Sequence, residues 1–280
     1  LAAQRLFTVT PARPAPGAIV RLSLTPEKES DVSSVRGTLA GEPLHFQLES
    51  NGSWHAIGGI PVDATGTLNA RAFIRRKSGK TDTVKVSMSL PAIPKPKAEP
   101  LAVDSSFSKP MDEATADRIN AENARARALG VQSHDEPPLW TESFMKPRMS
   151  VVTSPFGSGR VFNGAVTSRH LGIDFRGGVG DTIRAANRGV VVLVDEFFLA
   201  GNVVYIDHGG GVVSGYFHMS RPLVAKGDTV ERGQVIGLVG KTGRVTGPHL
   251  HWTVRYGTTT VNPEDLLSLD PAWYSAKRGQ

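Results

Sequence analysis

Through residues 1–90 apolar and polar positions alternate with a period of two. Val20, Leu22 and Leu24 repeat this way, as do Leu44, Phe46 and Leu48, and again Val84, Val86, Met88 and Leu90. Successive side chains on a strand point to opposite faces, so the pattern predicts strands with one buried face. Asn51-Gly52, Gly58-Gly59 and Ser78-Gly79 separate them as turns. Several short strands over residues 1–93 predict a small β-sandwich, immunoglobulin-like in type.

The period then changes. Residues 91–100 read Pro-Ala-Ile-Pro-Lys-Pro-Lys-Ala-Glu-Pro, a composition that predicts an extended, semi-rigid connector. Asp112 is a helix N-cap, helix formers follow, and Gly130 is the expected stop. The apolar stripe of this helix is thin and mostly Ala, as for a short helix packing on a neighbour. His134, in the acidic loop that follows, is expected to be solvated. Beyond residue 140, short Val/Ile runs alternate with Gly-rich turns: "GVVVLVDEF", "NVVYIDHG", "GVVSGYFH", "GQVIGLVG" and "HLHWTVRY". They predict a second unit of short strands, with a helix only at Pro263–Leu267. The chain therefore reads as mainly β, with an accessory sandwich at 1–93, a linker with a helix at 94–139, and a second β domain at 140–280.

Composition narrows the chemistry. The 280 residues include no Cys, which excludes disulfides, thiolate metal sites and a Cys nucleophile. No apolar run approaches the ~18 residues of a membrane span. Net charge is +6, divided as +5 over residues 1–100, −3 over 101–139 and +4 over 140–280. Basic ends favour a polyanionic partner: cell-wall polymer, anionic lipid or nucleic acid. No Lys/Arg run with interleaved aromatics points to nucleic acid. Oligomeric state is not readable.

Five of the eight histidines lie between residues 170 and 251. His249 and His251 are two apart, so on a strand they share one face, about 7 Å apart. His170 and Asp174 are four apart, about 13 Å on a straight strand, too far to share an ion unless the chain bends. Gly172 permits a bend. Imidazole and carboxylate together make a zinc set, and catalytic zinc commonly takes three protein ligands and leaves a fourth position open. Four histidines and one Asp would then divide into three ligands and two histidines beside the open position. There is no His-Glu-x-x-His helix, so a histidine must act as the base. His208, in "IDHGGG", more naturally supports the Gly-rich turn.

"RHLGID" and "GPHLHW", with "SPFGSGR", "GYFHMS" and "KGDTVERGQVIGLVGKTGRVTG", resemble the lysostaphin-type (LytM-like) zinc endopeptidases of bacterial peptidoglycan. The resemblance covers roughly residues 150–265. It implies an antiparallel sheet under a groove, with Zn²⁺ held by His170, Asp174 and His251. It implies that His218 and His249 flank the bound water and the substrate carbonyl, with His249 as base and His218 on the oxyanion side. Arg160, Asn163 and Tyr216 are further candidate substrate contacts, packing being the other use of Tyr216. The family usually carries a small residue and Leu around the middle histidine. Phe217 and Met219 stand there instead, a change expected in the groove wall. The implied activity is hydrolysis of peptide cross-links, by an exported protein of the periplasm, envelope or extracellular space. The other function class is a non-catalytic envelope regulator that activates or positions wall hydrolases. The intact His/Asp set argues for the enzyme.

Overall fold

The computed structural model describes residues 7–92, 98–104, 107, 111–162 and 166–269. Strands dominate, as the alternation predicts. The N-terminal strands are β1 (Phe7–Thr10), β2 (Ile19–Leu24), β3 (Val32–Leu39), β4 (Glu42–His45), β5 (Gln47–Leu48), β6 (Trp54–Gly59), β7 (Thr67–Arg76) and β8 (Thr81–Ser89). They form two four-stranded antiparallel sheets, β1-β2-β6-β5 and β4-β3-β7-β8. Val20, Leu22 and Leu24 from one sheet and Leu39, Ile74 and Met88 from the other enter one core. Of the predicted inward residues Val20, Leu22, Leu24, Leu44, Met88 and Leu90 are buried, and Phe46, Val84 and Val86 are half-buried. Leu48 is exposed because the run breaks after His45 and β4 and β5 join different sheets.

The connector does more than space two units. Residues 93–97 lie outside the described residues, but β9 (Ala98–Leu101) pairs in parallel with β11 (Gly159–Phe162). α1 (Glu113–Ser133) opens on Asp112, whose side chain accepts from the Thr115 amide. It does not stop at Gly130. That glycine is buried against the turn at Gly257, where a Cβ would lie 1.8 Å from the Gly257 carbonyl oxygen. Gly130 therefore serves close approach and not helix termination. His134 is likewise not solvated. Its Nε2 lies 3.0 Å from Glu42 and its Nδ1 2.8 Å from His45, and Glu42 also accepts from the Thr258 amide. Salt and hydrogen bonds thus tie β4, the end of α1 and the β20–β21 turn described next.

The remaining strands are β10 (Val152–Ser154), β11, β12 (Val166–Arg169), β13 (Ile173–Arg176), β14 (Thr182–Arg184), β15 (Gly189–Phe197), β16 (Gly201–Asp207), β17 (Val212–Pro222), β18 (Thr229–Val230), β19 (Val235–Val239), β20 (His249–Tyr256) and β21 (Thr259–Val261), followed by α2 (Pro263–Leu267). A ten-stranded antiparallel sheet runs β10-β13-β20-β17-β16-β15-β18, with β14, β19 and β21 attached beside it. Phe175, Tyr216, Leu250 and Trp252 fill the core under its central strands. Ile19 and Ile57 of the N-terminal sheets join that core, and the Ile19 amide donates to Asp265.

His208 supports its turn, as expected. Its Nδ1–H donates to the Arg188 carbonyl and its Nε2 is hydrogen-bonded to Ser214, and the ring is fully buried. Burial pushes its pKa down to about 4. An unfolded histidine titrates near 6.5, so between about pH 4 and 6.5 the unfolded chain binds a proton that the fold refuses. Stability is then complete above pH 6.5 and is lost as pH falls through this window, by about 3 kcal/mol from this residue. Urea unfolding from pH 7 to 4 should show a shallower decline for His208→Gln than for the parent chain. Parallel declines would refute the assignment.

Candidate functional site

β20 puts His249 and His251 on one face and Leu250 and Trp252 in the core on the other. β13 lies beside it in antiparallel register, pairing Asp174 with His251 and Arg176 with His249. On the other flank β17 pairs Phe217 with His251 and Tyr216 with Trp252. Directly paired residues share a face, so Asp174, His251 and Phe217 line up across three strands. The Phe217 ring stacks on His251 at 5.1 Å and 23°. Phe217 thus forms wall at the site, whereas Met219 is fully buried in the core.

His170 enters from the loop before β13. Its Nδ1–H donates to the Pro155 carbonyl at 2.9 Å, which directs Nε2 at Asp174 and His251. That Nε2 lies 3.0 Å from Asp174 Oδ1 and 2.9 Å from His251 Nδ1, and His251 Nδ1 lies 2.8 Å from the same carboxylate oxygen. Gly172 makes room for this. Its backbone is not left-handed; a Cβ there would lie 2.6 Å from the His251 ring and from the Trp252 carbonyl. The chain bends at Gly172 as expected, and the glycine is needed for space as well.

Burial opposes the charge on Asp174, but hydrogen bonds from His170 and His251 outweigh it and hold the carboxyl far below its usual range. Burial also pushes His251 down to about 4. At neutral pH the site therefore presents a carboxylate, the neutral His251 ring and His170 Nε2, all turned toward one another. Acceptors facing acceptors at 3 Å repel unless a cation or proton lies between them. Two imidazoles and a carboxylate match the donor set of a first-row divalent ion, and these three residues fit such a group.

Two more histidines border the triangle. His249 Nδ1–H donates to the Gly247 carbonyl, and its Nε2 lies 3.6 Å from Asp174 Oδ1. His218 Nδ1–H donates to the Thr242 carbonyl, and its ring centre is 4.8 Å from that of His249. Burial, with the neighbouring His249 and His251, drives the His218 pKa well down. His218 has φ of 61°, a left-handed conformation rare for a non-glycine residue, at the bulge where β17 shifts register. Strained backbone of this kind gathers at functional sites.

Arg160 donates to Asp174 Oδ2 at 2.5 Å and to Ser154 Oγ, so one of its nitrogens steadies the carboxylate. Tyr216 does not reach the site. It is fully buried, its hydroxyl accepts from the Ala186 amide, and burial raises it to about 12. The correction follows from period two: Phe217 and Tyr216 face opposite ways, and Phe217 takes the site. Asn163 lies outside the described residues. Thr242 was not singled out from sequence. Besides holding His218, its hydroxyl donates to the Met219 carbonyl and accepts from the Asn202 amide. Only its place in "GKTG", just before the His-x-His strand, hinted at it.

Residues 168–263 match peptidase family M23, and this part of the chain is an M23 (LytM-type) peptidase domain. The peptidoglycan DD-endopeptidase ShyA of Vibrio cholerae is 49% identical over 93 residues, which cover 33% of this chain and 22% of ShyA. The DD-carboxypeptidase/endopeptidase Mpg of Neisseria meningitidis is 38% identical over 135 residues, 45% of this chain and 31% of Mpg. The chain thus matches under a third of the length of either relative. A Pseudomonas aeruginosa crystal structure assigned to peptidase M23 superposes with a TM-score of 0.68 at 27% identity, over 95% of this chain and 98% of that one.

Proposed function

We propose that the protein is a zinc-dependent endopeptidase that hydrolyses peptide cross-links of bacterial peptidoglycan, outside the cytoplasm. The observation that carries this reading is the triangle of acceptor atoms on His170, Asp174 and His251, bordered by two further histidines. The peptidoglycan endopeptidases among its relatives support the substrate class. His170 Nε2, Asp174 Oδ1 and His251 Nδ1 would hold the ion. When bound, a divalent cation supplies Lewis acidity, polarising the scissile carbonyl and acidifying water.

The chain's own residues do the rest. The Gly247 carbonyl accepts from His249 Nδ1–H, which leaves Nε2 to take a proton from the attacking water and pass it to the leaving amine. Thr242 does the same for His218. His218 can therefore support the oxyanion only while its Nε2 also carries a proton. Arg160 keeps Asp174 from rotating. We divide the chain into 1–93, 94–139 and 140–280, with the first two parts positioning the third. The Glu42–His134 contact, the Ile19–Asp265 hydrogen bond and the β9–β11 pairing support that role.

Digestion of purified sacculi tests the reading. The full chain, carrying about one zinc, should convert cross-linked muropeptides to monomers, and a chelator should stop it. A metal-free chain that leaves every cross-link intact would instead be a regulator of other hydrolases.

A further inference from the structure

Two cavities flank the histidines and share Arg160, Phe162 and Arg244 in their walls. The one on the His218 side, about 260 Å³, adds Leu171, Leu199, Ala200 and Phe217, with Arg169. The one on the His249 side, about 350 Å³, is lined by Arg160, Arg176 and Arg244 together with Leu101, Phe162 and Pro248. Asp174 is the one acidic residue among that lining. Its carboxylate is already engaged by His170, His251 and Arg160.

The other two guanidiniums have no such partner. Arg176 stands directly across from His249 in the β13–β20 register, which sends both side chains to the groove face. It is exposed, and among the described residues no carboxylate pairs with it. Arg244 lies with its guanidinium carbon 3.9 Å from the centre of the Phe162 ring. It too has no carboxylate partner among the described residues, and Arg160 is close enough to repel it. By contrast Arg148, at the edge of the same sheet, is taken up by Asp181 at 2.5 Å. Stacking on Phe162 holds the Arg244 fork in place, so little rotamer freedom is lost when it binds. Two uncompensated cations in a concave wall attract an anion more strongly than they would on open surface. Arg forks match carboxylates bidentately.

We propose that Arg176 and Arg244 form a carboxylate-binding subsite beside His249, so that the peptide cut here carries a free carboxylate on that side of the scissile bond. This rests on the peptidase reading for its substrate but not for its test. A fluorescein-labelled stem tetrapeptide contains no cross-link to cut, so it reports binding alone. The full-length protein is titrated with this probe in four forms: all carboxylates free, the side-chain carboxylates amidated, the terminal one amidated, and all amidated.

The free probe should bind at least about tenfold more tightly than the fully amidated one, and the advantage should shrink as salt rises. Arg176→Gln and Arg244→Gln should each lose about tenfold for the free probe and leave the fully amidated probe unchanged. Arg176→Lys should recover part of the loss. The two singly amidated probes tell whether the carboxylate read is a side chain's or the chain end's; either supports the subsite. Equal binding of free and fully amidated probes, or variants that weaken both alike, would overturn it. Sacculus digestion keeps the two claims apart. Discrimination without cutting removes the peptidase reading, and cutting without discrimination removes the subsite.

Discussion

His251→Ala is expected to lose the metal and, with it, all measurable cross-link hydrolysis. The residue supplies the nitrogen closest to Asp174 Oδ1, at 2.8 Å, and the nitrogen facing His170 Nε2 at 2.9 Å. Burial keeps the ring from taking up a second proton until about pH 4, so at neutral pH the imidazole is in the form that binds an ion. Without it two donors remain, fewer than the three that catalytic zinc sites commonly use. Removing a group that merely supports a ligand typically costs 10–100-fold in affinity, and removing a ligand should cost more than about 100-fold. Metal analysis after desalting is the direct measurement. A variant that kept one ion per chain would end the assignment of His251 as a ligand. The fold should survive, because His251 lies on the groove face, whereas its neighbours Leu250 and Trp252 carry the core.

His249→Ala is expected to keep the metal and lose turnover by about 10²–10⁴, the usual contribution of a positioned acid–base group. Its Nε2 lies 3.6 Å from Asp174 Oδ1, beside the ligand triangle and outside its 2.8–3.0 Å contacts. Its other nitrogen is committed to the Gly247 carbonyl. An imidazole held this way can take a proton and return it, and Ala can do neither. The same assay that follows muropeptide monomers gives the rate, and metal analysis gives the ion content. Near-parental activity would remove His249 from the reaction and leave His218 as base.

Much of the site was legible before any coordinates. Period two alone requires His249 and His251 to share a face, and β20 has that alternation. The same rule, applied to Tyr216 and Phe217, says that one of them faces the site and the other the core. It cannot say which, because that depends on the register with β20. Gly172 lies at the bend expected of it, but it has a second use. The space it leaves is taken by a ring from residue 251, and no local pattern carries that information. Gly130 looked like a helix stop because helix ends favour glycine, and the contact that uses it comes from Gly257.

What the sequence by itself determined is local. It set most of the strands and their faces, the N-cap at Asp112, the turns at Asn51-Gly52 and Ser78-Gly79, and the kinds of group that chemistry at this site would need. These follow from backbone geometry and side-chain chemistry, which act over a few residues. Gly58-Gly59, expected as a turn, instead pairs with Val20 and Ile19 inside β6. Only the tertiary structure decided that His134 closes on Glu42 and His45, that His218 sits on a left-handed bulge held by Thr242, and that Arg176 stands across from His249. Strand register and the packing of distant segments settle such contacts, since the free energy of burying apolar surface is shared across the whole core and is not written into any single spacing.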